Sequence, residues 1–179
     1  MTHISAIAIA LLAASVGLTH PRAALAEAPV IKTQGPVIHL ADNLDEEAKL
    51  GWCIDTEGRG VSDQLHAHSC KPTGDDVLFS YAADRGMITS ATYAGLCMAY
   101  NSPENAENPF GLISCDDADP AQQFIYDATS MELRLGIDPA QCLTVAATID
   151  DAGPSQSRDL ILAPCADLTP GFKQWVIRE

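Results

Sequence analysis

The sequence predicts an all-β chain made of three copies of one four-stranded unit, and three observations predict it. Six cysteines fall into three pairs, Cys53 with Cys70, Cys97 with Cys115 and Cys142 with Cys165, separated by 17, 18 and 23 positions. The first members of the pairs lie 44 and 45 residues apart, the kind of period at which one supersecondary unit is copied along a chain. An aromatic residue, Phe79, Phe124 or Trp175, follows each second cysteine after 9, 9 and 10 positions. Finally, the apolar residues beyond the leader come in short runs. They are split by clusters such as Pro72-Thr73-Gly74-Asp75, Asn101-Ser102-Pro103 and Asp150-Asp151-Ala152-Gly153-Pro154, the pattern of strands joined by turns.

The first element is a leader. Ile4 to Leu18 is an apolar run too short to span a bilayer, and Ala24-Leu25-Ala26 supplies the small-x-small pattern of a cleavage site, so residues 1–26 read as an export signal cut before Glu27. No cysteine lies at that site, and no lipid anchor is expected. The 153 residues that remain suit one domain with one core. Residues 27–36 carry two prolines and no apolar period, and are expected to be a short mobile lead-in.

Three repeats follow, at about 37–85, 86–130 and 131–179. Their opening strands are Val37-Ile38-His39-Leu40, Gly86-Met87-Ile88-Thr89 and Met131-Glu132-Leu133-Arg134-Leu135. The second strands are Trp52-Cys53-Ile54-Asp55, Leu96-Cys97-Met98-Ala99-Tyr100 and Cys142-Leu143-Thr144-Val145. The third strands run from Gln64 to Cys70, Phe110 to Cys115 and Leu160 to Cys165, and the fourth carry the aromatics at Val77-Leu78-Phe79, Gln122 to Tyr126 and Lys173 to Ile177. No stretch holds a helical apolar period, although Asp45-Glu46-Glu47-Ala48-Lys49 could form one turn. Twelve strands in three units are buried compactly by a closed pseudo-threefold barrel capped by hairpins, which leaves few exposed edges. Phe79, Phe124 and Trp175 are then core residues around the axis.

Charge and cysteines bound the function. Ten basic and 24 acidic residues give −14, and loss of Arg22 with the leader gives −15. Such a surface repels phosphate backbones, so nucleic acid is not an expected partner. Export and an even cysteine count agree, because an oxidising compartment, secreted or periplasmic, lets disulfides persist. Of the 15 possible connectivities, the repeat selects Cys53-Cys70, Cys97-Cys115 and Cys142-Cys165, since equivalent units have equivalent bonds. Each ring restricts the unfolded chain by about 3 kcal/mol in the chain-entropy model. With the cysteines bridged, and with no Gly-x-Ser-x-Gly elbow, His-Glu-x-x-His pair or phosphate-cradling loop, the sequence shows no catalytic residues and implies no cofactor.

The Cys53-x-Asp55 start, the cysteine spacing, and the sequences Gln122-Gln123-Phe124 and Lys173-Gln174-Trp175 resemble a ricin B-type lectin domain, a β-trefoil whose repeats end in Gln-x-Trp. The match runs from about Val37 to Ile177. In Gln122-Gln123-Phe124 the ring is Phe, whereas Trp175 keeps the ring but has Lys173 at the glutamine position, and Phe79 has Val77 there. The resemblance implies carbohydrate binding. In that family, an aspartate two after the first cysteine takes sugar hydroxyls and an aromatic two before the second cysteine stacks on the ring. Carried over, the first repeat offers Asp55, His66, His68 and Asp76 as carbohydrate-binding residues. The second repeat has Ala99, Gly111 and Ile113 at the matching positions and the third has Thr144, Ile161 and Ala163, so at most one site is expected.

Two other readings of these residues stay open. Asp55 could cap a turn while the histidines lie on a solvated strand, or His66 and His68, alternating on one strand face, could hold a metal with Asp55 or Asp76. His39 reads as an ordinary half-buried histidine. A different class of function, a protein-interaction trefoil that contacts an extracytoplasmic protein, is suggested by the acidic insert Asp42-Asn43-Leu44-Asp45-Glu46-Glu47. That insert places Ile38 15 residues before Cys53, where Ile88 and Leu133 precede their cysteines by 9.

Overall fold

The structure is a computed structural model that describes residues 27–58, 60–100 and 109–179. The expected signal segment and the Asn101-Ser102-Pro103 turn lie outside the described residues.

The short apolar runs form strands close to where the repeat places them. The first repeat contributes β1 (Val37–Leu40), β2 (Trp52–Thr56), β3 (Leu65–Ser69) and β4 (Phe79–Ala82), and the second β5 (Met87–Ser90), β6 (Leu96–Tyr100), β7 (Phe110–Ser114) and β8 (Phe124–Asp127). The third contributes β9 (Glu132–Leu135), β10 (Asp138–Val145), β11 (Asp150–Ala152), β12 (Ser155–Pro164) and β13 (Trp175–Arg178). The extra strand β11 arises because the third pair of cysteines spans 23 positions, long enough for β12 to extend into a further hairpin. One turn of helix, α1 (Pro170–Lys173), also escapes a reading by period, since four residues carry no periodicity.

Six strands close a ring by one rule applied three times. The last strand of each repeat forms an antiparallel ladder with the first strand of the next: β4 with β5, β8 with β9, and β13 back to β1. Between ladders, the aromatic that opens each last strand closes the ring with its backbone. Phe79 N–H donates to Pro36 O at 3.2 Å, Phe124 N–H to Gly86 O at 2.7 Å and Trp175 N–H to Met131 O at 2.7 Å. The carbonyl just before each aromatic, of Leu78, Gln123 and Gln174, accepts from Ala91, Gly136 and Ala41 in the neighbouring repeat. All three rings are buried in one core with Ile38, Leu40, Ile88, Leu133 and Leu135. At 150–250 Å² per aromatic and roughly 25 cal/mol per Å², each ring contributes several kcal/mol before entropy is counted.

The remaining strands form three hairpins, β2–β3, β6–β7 and β10–β12, each closed by its own disulfide. The Cα atoms of the three cystines are 5.0, 4.9 and 5.0 Å apart, inside the range the bond requires. The position of the family's glutamine also has a physical account in each repeat. Gln122 is buried, donating to Ser114 O and accepting from Asp116 N–H, so it ties the end of its hairpin. Lys173 does the same with its ammonium, which donates to Cys165 O at 2.7 Å and pairs with the buried Glu132 at 2.8 Å. Val77 needs no donor, because it is buried in a satellite cluster with Val37, Cys53 and Cys70, against which Ile31 and Leu50 pack.

That cluster explains why residues 27–36, expected to be mobile, lie attached to the barrel. Val30 N–H donates to Lys49 O, Asn43 N–H to Glu27 O, and the buried Thr33 hydroxyl to Lys71 O at 2.8 Å. Two polar residues of the acidic insert are likewise internal, while Asp45 and Glu47 are exposed. Asn43 is fully buried and serves Glu46 O, Gly51 N–H and Trp52 Nε1. The Glu46 carboxylate, also buried, accepts from Leu50 N–H at 2.6 Å and Ser69 Oγ at 2.8 Å. Segment 45–49 forms turns and not a helix, and Lys49, with φ at 61°, stands in a left-handed conformation that no helix continues.

Candidate functional site

The hairpin β2–β3 places the sequence-predicted residues of the first repeat on one face. In its register Cys53 stands opposite His68 and Asp55 opposite His66, and directly paired residues of an antiparallel ladder share a face. Asp76 arrives from the turn before β4. The four expected residues do converge, but in an order that the sequence does not show.

Asp55 is fully buried. The ammonium of Lys71 lies over it, 2.7 Å from Asp55 Oδ2 and 2.8 Å from Asp76 Oδ2, so one cation bridges a buried carboxylate and a nearly buried one. Neither Asp55 oxygen has an aligned hydrogen bond. Burial pushes the Asp55 carboxyl up to about 6, against the opposing pull of Lys71. Burial also disfavours the charge on Lys71, but the Asp55 and Asp76 carboxylates outweigh it and raise its pKa. Asp55 therefore does not face a ligand as the resemblance implied. It holds Lys71, and Lys71 and Asp76 face outward in its place.

The histidines are not on a solvated strand either. His68 is buried, and its Nδ1 lies 2.9 Å from Ser69 O. A carbonyl only accepts, so Nδ1 carries the proton and Nε2 keeps a lone pair. His66 lies beside it, ring centroids 5.4 Å apart, with a buried Nε2 that has no hydrogen-bond partner. Burial lowers the pKa of both imidazoles, and His66, which also feels His68 and Lys71, is pushed down to about 4. Both are neutral near pH 7. Asp55 Oδ2 lies 3.8 Å from His68 Nδ1, but among the described residues no carboxylate comes close enough to both imidazoles to make a three-ligand metal group. Among the described residues, the only such grouping is Glu132 with Cys142 and Cys165, whose sulfurs are joined in a disulfide. His39 sits apart on β1, buried, with Nδ1 2.7 Å from Leu40 O.

His66, His68, Lys71 and Asp76 line a cavity of about 580 Å³. Its opposite wall belongs to the third repeat. Strand β12 pairs with β3, Ser157 opposite His68, and the β11–β12 hairpin from Asp151 to Ser155 stands over the opening. The matching positions elsewhere are closed. Ala99 is buried opposite Gly111, and the buried Thr144, opposite Ile161, spends its hydroxyl on Phe172 O at 2.8 Å.

Sequence reasoning missed Lys71 and the hairpin wall. Both left signals. A lysine directly after the second cysteine is conspicuous in a chain with ten basic residues against 24 acidic ones, and the third cysteine spacing exceeds the others by the residues of the hairpin.

No family model matches the sequence, and no curated protein matches it. Solved structures do. The agglutinin from Abrus precatorius superposes with a TM-score of 0.54 at 12% identity, over 85% of this chain and 48% of that one. The C-half of the earthworm R-type lectin, in complex with GalNAc, gives 0.55 at 17% identity, over 80% of this chain and 96% of that one. The fold is the β-trefoil of ricin B-type lectins. A third trefoil, the Vibrio vulnificus hemolysin/cytolysin β-trefoil lectin with N-acetyl-D-lactosamine bound, gives 0.50 at 12% identity over 79% of this chain and 91% of that one. The trefoil thus spans about half of the agglutinin and nearly all of the two smaller lectins. At these identities the likeness concerns the fold.

Proposed function

We propose that this trefoil binds carbohydrate at a single site, the first-repeat cavity. One observation carries the proposal: a concave space of about 580 Å³ into which an anion, a cation and two neutral imidazoles converge, beneath which a carboxylate with a strongly raised pKa is buried. Few polar groups aimed into one recess, with perturbed titration beside them, are the mark of a ligand site. The groups suit a sugar. Asp76 accepts from hydroxyls, Lys71 donates to them, His68 Nε2 accepts, and the imidazole faces offer flat surfaces to the apolar side of a ring. Asp55 acts through Lys71 and is a positioning residue.

A net charge of −14 and three disulfides fit a protein that works outside the cytoplasm. Among the described residues no helix is long and apolar enough to cross a membrane.

The test is a glycan array probed with the oxidised protein and with Asp76→Ala. Binding to a defined sugar that Asp76→Ala lowers at least about tenfold, the loss of one charge-assisted hydrogen bond, supports the site. An array bound equally by both proteins refutes it. An array on which the wild type binds nothing refutes carbohydrate binding itself.

A further inference from the structure

Resting on that reading, we infer that the β11–β12 hairpin of the third repeat forms a second subsite, so that the ligand is an oligosaccharide of two or more units and not a single sugar. The first argument is size. Recesses of roughly 300–1,000 Å³ enclose drug-sized molecules, and this one, of about 580 Å³, is lined by residues of both the first repeat and the third. The second is placement. His66, His68, Lys71 and Asp76 occupy the first-repeat side, whereas Ser155 and Ser157, which alternate onto the face of β12 that carries the His68 partner, present two hydroxyls from the facing side. A sugar held on the first side leaves these groups to the next unit of its chain.

The wall is also built to stay in place. Its turn is Ala152-Gly153-Pro154-Ser155, with Ala152 paired to Ser155 and Gly153 at φ 68°. A glycine of positive φ followed by proline is the backbone of a two-residue type II′ hairpin, whose twist matches its strands. Below the turn, Gln156 N–H donates to Ser69 Oγ at 3.1 Å and Gln156 Oε1 accepts from Glu47 N–H at 3.1 Å. Arg158 points to the opposite face, its guanidinium 4.7 Å from the centre of the Trp52 ring and donating to Ala146 O and Ala147 O. Strand alternation therefore fixes Ser157 toward the cavity. A preorganised wall converts added contacts into affinity with little ordering cost.

The experiment prints each sugar of the array as monosaccharide, disaccharide and trisaccharide with the same terminal unit. The readout is the ratio of trisaccharide to monosaccharide affinity, in the wild type, in the double variant Ser155→Ala, Ser157→Ala, and in the single variant Ser155→Gln, which adds bulk on the cavity side of the turn. A ratio of at least about tenfold in the wild type that falls to threefold or less in both variants is expected. A ratio near one in the wild type, or one the variants leave unchanged, overturns the second subsite while the first-repeat site stands. Absence of binding to every printed sugar overturns both.

Discussion

Replacing Asp55 by Asn tests the buried ion arrangement directly, because it removes an ionisation and preserves shape. Burial pushes the Asp55 carboxyl up to about 6, from the ordinary aspartate value of 3.8. Between those values the folded state holds the extra proton. This group therefore contributes stability that is present at acid pH and is lost as pH rises from about 4 through about 6. At 1.36 kcal/mol per pH unit the full difference is about 3 kcal/mol, so wild-type protein at pH 7 carries a buried ionised carboxylate at roughly that cost. His66 and His68 run the other way. Their lowered pKa values make folding less favourable as pH falls through the ordinary histidine range and, for His66, on to about 4. Because both proteins keep the histidines, that dependence largely cancels in the difference between them. The assay is urea unfolding of wild type and Asp55→Asn at intervals from pH 4 to 7.5, with the disulfides intact. The variant is expected to match the wild type near pH 4 and to exceed it by about 3 kcal/mol above pH 7, roughly 6–12 °C in Tm for a domain of this size. A difference that stays flat within about 1 kcal/mol across the range refutes the account of a desolvated carboxylate held under Lys71.

Two further changes probe the scaffold. Tyr81 and Tyr126 hold equivalent places, and their hydroxyls donate to Phe124 O at 2.9 Å and Trp175 O at 3.0 Å, but the third repeat has Ile177 there. Ile177→Tyr is expected to supply the missing bond to the Phe79 carbonyl and add about 1 kcal/mol, seen as a higher urea midpoint with unchanged slope; a lower midpoint would show that the three seams are not equivalent. Arg158→Lys keeps the charge but loses the paired bonds to Ala146 O and Ala147 O and the planar stacking on Trp52. It is expected to cost about 1–3 kcal/mol, and a neutral result would mean that the buried guanidinium contributes only volume.

The barrel was legible in the sequence because its determinants repeat. Three cysteine pairs, three aromatics and twelve short apolar runs each restate one unit, and the ladders β4–β5, β8–β9 and β13–β1 follow from copying it. The candidate site was legible only in part, because it belongs to one repeat and has no internal check. Position relative to Cys53 and Cys70 located Asp55, His66 and His68, and the register confirms their common face. It could not show that Lys71 would cover Asp55, since that depends on where a flexible side chain finds its counter-charges. Nor could composition show that Asn43 and Glu46, polar residues in an acidic insert, would be buried, because burial of such groups is decided by partners distant in the chain.

Threefold symmetry and the single site proposed here are compatible because different atoms carry them. Ring closure uses backbone groups of Phe79, Phe124 and Trp175 and the bulk of their side chains, which are buried in the common core. The hairpins β2–β3, β6–β7 and β10–β12 are each fixed by a disulfide and a ladder, so the residue types at the paired positions beside the cystines can differ between repeats without loss of the hairpin. In the second hairpin that freedom ends in the small pair Ala99 and Gly111, and in the third in Thr144, whose hydroxyl is turned inward to Phe172 O. Only in the first does it leave ionisable groups, and there two carboxylates share one ammonium, an arrangement that costs stability at neutral pH. A scaffold that can be held by apolar seams and cystines alone has no need of that cost, which is the physical reason the proposed site is sought in the first repeat.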